Sequence, residues 1–352
     1  MVPFPHGGDV RTAQAYYDGA ILDFSANLNP LGMPERVRRA AEEAVAGAVH
    51  YPDPYCRDLT AGLARRDGVK EGQVLCGNGA ADLIFRLAVA LRPRRALVTA
   101  PTFSEYEQAL GVVDCAVERF PLTPEQRFDL PDAFPEALDP GLDLVFLCNP
   151  NNPTGRPVPP SLLERTLEVC ARHSIRLVVD ECFLELTDGG TDLGLAGSLE
   201  QYPNLLLLRA FTKSYAIPGL RLGYCLSADS GLLEALRRCA QPWSVSAPAQ
   251  AAGLAALEEP DWPTRARTLI QAERPALQAG LTALGLEVAP GAANYLLFRA
   301  PGITDLRERL VARGILIRSC ANYQGLGPDA YRVAVRTGAE NARLLDALRE
   351  VL

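Results

Sequence analysis

Residues 143–180 read DLVFLCNPNNPTGRPVPPSLLERTLEVCARHSIRLVVD. At its ends stand two short runs, DLVFLC (143–148) and RLVVD (176–180), apolar at successive rather than alternate positions. A strand of that kind is covered on both faces, as in a parallel sheet sheathed by helices. The same texture extends outward. VLC (74–76) and ALVTA (96–100) precede it, LLLLRA (205–210) and RLGYCLS (221–227) follow, and helical stretches such as Ala80–Leu91 lie between. That alternation predicts an α/β fold.

Toward the ends the texture changes. Residues 1–50 are irregular, then helical around Glu35–Val49, and YPDPY (51–55) is a turn cluster. Beyond about residue 245, an Ala-rich helical region over 246–282 leads to three strands, NYLLFRA (294–300), ILIRSC (315–320) and YRVAVR (331–336). A helix near 304–313 and a last one at 340–351 complete an α+β lobe. The 352 residues suit two lobes. We expect an N-terminal segment (1–45, partly in the small domain), a large α/β domain (46–244) and a small α+β domain (245–352).

Composition narrows the function. With 48% hydrophobic and 22% charged residues the chain has a globular composition. A net charge of −7 argues against nucleic acid as a partner. No apolar run reaches the roughly 18 residues that span a bilayer, so no membrane partner is expected. The opening MVPFPHGGDVR lacks the basic stretch and apolar core of a signal peptide. Nine scattered cysteines without a C-x-x-C pair read as reduced thiols of a cytoplasmic protein. With three histidines, a multi-histidine metal centre is not expected. Lysine occurs only twice, at Lys70 and Lys213, amid abundant arginine. A guanidinium stays protonated, so any step needing a neutral amine falls to one of these two.

Lys213 follows the strand LLLLRA and is flanked by Phe211, Tyr215 and Ile217, which would desolvate it and lower its pKa. Lys70, in DGVKEGQ, reads as a solvated loop residue. Arg221, eight residues after Lys213, can share a pocket with an anion. GNGAAD (77–82) sits between strand and helix, where glycines and a helix N-terminus offer N–H groups to an anion, or simply form a turn. Asp180 ends a parallel strand, the edge that faces ligand crevices; a capping role is the other reading. NPNNPTG (149–155) is a rigid turn in which Asn149 suits turn chemistry and Asn152 a ligand. In YRVAVR, Arg332 and Arg336 share a face about 13 Å apart, too far to grip one anion. One of them is therefore expected in a structural ion pair. Arg318 is a further anion anchor, and His6, before Gly7 and Gly8, can close over an anion.

The ordered set GNGAAD, PTFSEY, NPNNPTG, VVDE and TKSYAIPGLRLGY resembles the pyridoxal-phosphate enzymes of the aspartate-aminotransferase fold, the type I transferases, over essentially the whole chain. HGGDVR (6–11), DFSANLNPLGMP (23–34), YPDPY, PWSVSA (242–247) and ILIRSCANYQGL (315–326) are similar to the threonine-phosphate decarboxylases, cobalamin-pathway relatives of the histidinol-phosphate aminotransferases. The resemblance implies pyridoxal 5'-phosphate as cofactor, held covalently by Lys213. It implies Asp180 at the pyridine nitrogen, Phe103 on the ring face and Asn152 at the phenolic oxygen. Its phosphate would meet the N–H groups of Ala80 and Ala81, the Thr212 hydroxyl and Arg221. Tyr51 would reach it from a second subunit, which implies a homodimer with a shared site. Phe183 stands where relatives commonly carry a ring-contacting tyrosine. Ala210, Ala80 and Ala81 lack hydroxyls that many relatives place on the phosphate.

The implied substrate is a phosphorylated amino acid, L-threonine O-3-phosphate, decarboxylated to (R)-1-amino-2-propanol O-2-phosphate for the cobalamin nucleotide loop. Arg332 would take the carboxylate, with Asn152 and the backbone near Asn27. Arg318, His6 and the Gly7 backbone would take the phosphate. These anchors decide the reaction by deciding which Cα bond stands perpendicular to the cofactor ring: the carboxylate for loss of CO2, Cα–H for transamination. The alternatives are an aminotransferase acting on histidinol phosphate or a similar phosphorylated amine, a decarboxylase of serine phosphate, and a non-catalytic protein of the same fold. Phe183 and the HGG opening argue against the first, and retention of Lys213 against the last.

Overall fold

The computed structural model describes residues 6–352; Met1–Pro5, the first part of the stretch read as unlike a signal peptide, lies outside the described residues. Seven strands form the large sheet in the order Val74–Gly77, Gly223–Leu226, Leu205–Ala210, Arg176–Asp180, Leu144–Cys148, Arg95–Ala100, Ala116–Pro121. Five are mutually parallel, from Leu205–Ala210 to Ala116–Pro121. Gly223–Leu226 alone runs against its neighbours.

Burial shows why the strands read as continuous apolar runs. In Leu144–Cys148, Val145 and Leu147 enter the core on one face, and Leu144, Phe146 and Cys148 enter the core on the other. Leu205–Ala210 divides in the same way, Leu205 and Leu207 against Leu206 and Leu208. The exception is Ala116–Pro121, for which sequence analysis provided no strand. It pairs on one side only and buries little, so it carries no apolar signature.

A second core gathers Phe24, residues of the helix Trp262–Ala283, and a four-stranded antiparallel sheet. That sheet runs Arg318–Ser319, Ala330–Ala334, Tyr295–Arg299, Glu287–Val288. Two expectations need correction here. The helical region over 246–282 is two helices, Ala247–Leu257 and Trp262–Ala283. The first buries Ala249, Ala252 and Ala256 in the larger core, whereas the second buries Ala266, Ile270 and Leu277 in the smaller. The run ILIRSC is not one strand. Ile315–Leu316 pairs with Leu22–Asp23, and Arg318–Ser319 pairs with Ala330–Ala334. The chain changes sheets at the buried Ile317, an event that an unbroken apolar run does not reveal.

The reversed strand fixes the helix Ala80–Leu91 at its start. A Cβ on Gly223 would lie 2.6 Å from the Ala80 nitrogen and 2.7 Å from the Gly79 carbonyl carbon, both backbone atoms. Gly223→Ala must therefore push the helix N-terminus off the sheet. We expect a cost of about 1–3 kcal/mol, read as a lower midpoint in denaturant unfolding of the apo chain. An unaltered midpoint would show that the helix start can retreat freely.

Candidate active site

The carboxyl ends of the parallel strands open into a cavity of about 880 Å³. Parallel strands end on the same edge, so the residues that follow them converge there. Asp180 closes its strand beside Cys148 on one side and Leu208 on the other. It is 5% exposed. Its carboxylate is fixed at both oxygens: the Tyr106 hydroxyl donates to Oδ2 (2.7 Å), and the Cys182 N–H donates to Oδ1 (3.0 Å). Burial, followed by the charge of Asp180, pushes the Tyr106 phenol well above its ordinary range, so it remains a donor. Tyr106 is in turn stacked on Phe146 and meets Phe103 edge-on.

Lys213 sits on the short helix Phe211–Ser214 that follows Leu205–Ala210. The hydrophobic neighbours expected for it need correction. Phe211, Tyr215 and Ile217 point into the larger core and do not line the cavity. The ring facing Nζ is that of Phe183, with its centroid 5.5 Å away, itself held edge-on against Tyr295. In a short helix, neighbours in sequence point to different sides, so flanking residues are poor guides to what surrounds one side chain. The amine is nevertheless depressed. Burial, followed by the positive charge of Arg332, lowers its pKa to about 8, against the opposing charge of Asp180. The backbone of the helix is tied down by Asn29, whose N–H donates to the Lys213 carbonyl (3.0 Å) and whose side chain donates to the Ser214 carbonyl (2.7 Å).

Ala80 and Ala81, the first residues of their helix, also line the cavity. Gly79 precedes them at φ +83°, and a Cβ there would strike the Arg221 guanidinium. Glycine thus lets Arg221 lie flat against the amino end of a helix. Among the described residues Arg221 has no carboxylate partner; one nitrogen donates to the Pro218 carbonyl (3.2 Å). Helix N–H groups and an uncompensated guanidinium form an anion site. Thr212 and Ala210 line the same end. This donor set, with a depressed lysine and a buried carboxylate nearby, fits the phosphate, aldehyde and ring nitrogen of pyridoxal phosphate.

The opposite end is built on the small sheet. Arg318 and Arg332 are direct partners across adjacent strands, and they are 6% and 5% exposed. Arg332 donates to the Asn152 carboxamide oxygen and to the Ser25 carbonyl (2.9 Å), lies over the Tyr295 ring, and leaves Nε without a hydrogen bond among the described residues. Arg318 donates to Asn322 (2.7 Å) and lies over the Tyr323 ring. Tyr323 also reaches Asn152 (3.5 Å). The Asn27 side chain, rather than its backbone neighbourhood alone, faces this end. Both of its polar atoms are buried without partners among the described residues. A buried carboxamide left unsatisfied is costly and points to a ligand. His6 and Gly7 line the cavity above it.

The fold therefore gathers into one cavity the residues expected to hold cofactor and substrate, apart from Tyr51, and leaves Arg336 and Asn149 outside it. Tyr51 is 77% exposed and stacks on Trp243, away from the cavity of its own chain. Arg336 falls beyond the strand Ala330–Ala334 and pairs with Glu340 (2.5 Å) and the Asp23 carbonyl (3.1 Å). Asn149 serves the turn, accepting from the Val158 N–H (2.9 Å). Sequence reasoning missed Tyr106, Glu105, Tyr323 and Ser25. The first two lie inside PTFSEY, where an acid and a phenol directly follow a strand end, and Tyr323 lies inside ILIRSCANYQGL.

No helix of the described residues is long and apolar enough to cross a membrane, and no group of His, Cys, Asp or Glu among them could hold a metal ion. Comparison with known proteins agrees with the architecture. The chain is 43% identical to the threonine-phosphate decarboxylase of Salmonella typhimurium, over 99% of this chain and 96% of that one. Among solved structures, the histidinol-phosphate aminotransferase from Clostridium acetobutylicum superposes with a TM-score of 0.87 at 27% identity, covering 94% of this chain and 99% of that one. The L-threonine-O-3-phosphate decarboxylase from Porphyromonas gingivalis gives 0.82 at 26%, covering 93% and 98%. The model of the family "Aminotransferase class I and II" matches residues 20–348. With Lys213, Asp180 and Arg221 set around one cavity at the carboxyl edge of its sheet, the chain belongs to the class I and II aminotransferase family.

Proposed function

We propose that this chain is a pyridoxal-phosphate-dependent carboxy-lyase that converts L-threonine O-3-phosphate to (R)-1-amino-2-propanol O-2-phosphate, a step of cobalamin biosynthesis. The observation that carries this reading is the opposed pair Arg318 and Arg332. Like charges directly across a ladder destabilise a sheet, and burial multiplies the cost. A substrate bearing both a carboxylate and a phosphate would bring one anionic group to each of them. The 43% identical relative named for this reaction supports the same substrate.

Bound pyridoxal phosphate would supply the electron sink for the pair left on Cα when its bond breaks. Lys213 would hold it, and Arg221, Thr212 and the N–H groups of Ala80 and Ala81 would seat its phosphate. Asp180, fixed by Tyr106 and Cys182, would face the ring nitrogen and keep it protonated. Phe103 would cover the ring, and Asn152 would reach its phenolic oxygen. Arg332, with Asn152 and Asn27, takes the substrate carboxylate. Arg318, His6 and Gly7 take its phosphate. Held by its amine, its carboxylate and its phosphate, the substrate cannot turn about its N–Cα bond, so the anchors choose which Cα bond stands perpendicular to the cofactor ring. Lys213, protonated by the substrate ammonium group as that group displaces it, would then deliver this proton to Cα once CO2 has left.

Tyr51, exposed and backed by Trp243, fits a contact with a second copy of the chain, hence a homodimer. Seven buried free thiols support a cytoplasmic setting.

Two tests follow. The cofactor-loaded protein, given threonine O-phosphate without any keto acid, should release CO2 through many turnovers, and Lys213→Ala should abolish it. Conversion of the cofactor to its amine form without CO2 would instead establish the aminotransferase reading. The second concerns the amine. Its neutral form prevails above about pH 8, so the rate at which apoenzyme takes up pyridoxal phosphate, followed by absorbance, should rise through that pH. Arg332→Gln removes a charge that depresses the amine and should move the rise upward. A wild-type rise centred near the ordinary lysine value of about 10.4 would refute the depression.

A further inference from the structure

Glu105 is the first residue of the helix Glu105–Gly111, is 6% exposed, and lines the cavity near Arg318 and Tyr323. At the end of a site that takes a phosphate, a buried carboxylate repels the ligand and costs desolvation unless something offsets it. The side chain that faces it is His6, whose Nε2 lies 2.9 Å from Glu105 Oε1, an oxygen that otherwise has no hydrogen bond among the described residues. Ser104 Oγ donates to the other oxygen at 3.3 Å.

The segment bearing His6 is tied at its other side to Ser25. The Gly8 N–H donates to Ser25 Oγ (2.7 Å), and that hydroxyl donates to Asp23 (2.6 Å). The Gly7 backbone lies so close to the Ser25 carbonyl that no Cβ would fit. The same carbonyl accepts from Arg332 (2.9 Å). The chain thus crosses the cavity between two fastenings, Ser25 on one side and Glu105 on the other.

We infer that Glu105 is a positioning residue, which fixes His6 for the phosphate of the substrate. This rests on the reading of the cavity as a site for a phosphorylated amino acid. Glu105 acts through His6, because a carboxylate has no proton to offer a phosphate oxygen.

The test compares wild-type holoenzyme with Glu105→Gln, Glu105→Asp, His6→Asn and the double variant His6→Asn/Glu105→Gln. The absorbance of the bound cofactor confirms that each is folded and loaded. Glu105→Gln and His6→Asn should each raise KM for threonine O-phosphate about tenfold, the worth of one charge-assisted contact, with a much smaller change in kcat. The double variant should be no worse than either single one, and Glu105→Asp should recover part of the loss. Independent effects that multiply toward a hundredfold in the double variant would overturn the inference, as would an unmoved KM in Glu105→Gln. A loss confined to kcat or to cofactor occupancy would overturn it equally. If wild type releases no CO2, the decarboxylase reading fails by itself. Glu105 is then judged by titrating the cofactor spectrum with threonine O-phosphate, where the same tenfold weakening supports it and its absence refutes it.

Discussion

The guanidinium of Arg332 is the constraint around which the cavity is arranged. It stands on the small sheet, yet its hydrogen bonds go to Asn152, from the turn after a strand of the large sheet, and to Ser25, from the N-terminal segment. One cation therefore joins three parts of the chain that sequence places far apart. Removing such a charge from water costs several kcal/mol, and carbonyl oxygens offset only part of it. The remainder is a standing attraction for an anion. A salt bridge to an internal carboxylate would have been cheaper for folding and would have removed the site.

The same charge governs the chemistry of Lys213. Burial disfavours the ammonium form, and Arg332 disfavours it further, while Asp180 pulls the other way. Asp180 is weakened as a counter-ion because both of its oxygens already accept hydrogen bonds, from Tyr106 and from the Cys182 backbone. An arginine at 213 could not be brought to neutrality by any such arrangement, which accounts for a lysine at 213 in a chain that has only one other.

How far all this is legible without a structure depends on the range of the interactions. Leu144–Cys148, Arg176–Asp180 and Leu205–Ala210 announce themselves because burial on both faces is written into consecutive residues. Lys213 and Asp180 follow from them, since the residue after a parallel strand must lie at its carboxyl edge. Composition also singles out Lys213. The flanks of that lysine mislead, because Phe211, Tyr215 and Ile217 turn into the core and Phe183, thirty residues earlier, takes their place. Arg318 opposite Arg332 is a matter of register, and register belongs to the pairing of two strands rather than to either one. Glu105 escapes notice for a similar reason: its partner lies at the far end of the chain.

The seat proposed for the cofactor phosphate shows how a missing side chain can be replaced by backbone. Ala80, Ala81 and Ala210 bring no hydroxyl to this end of the cavity. What the chain has instead is closeness. Gly79 lets Arg221 approach the helix N-terminus, and Gly223 lets that N-terminus approach the sheet. The N–H groups of the first turn and the guanidinium are thereby brought together at one end of the cavity, with Arg221 itself exposed. A hydroxyl contributes one neutral hydrogen bond, whereas a guanidinium contributes charged ones of about twice the strength. On that proposal, two glycines whose absent side chains admit Arg221 and the helix start would do the work of several hydroxyls, which would account for alanine at all three positions.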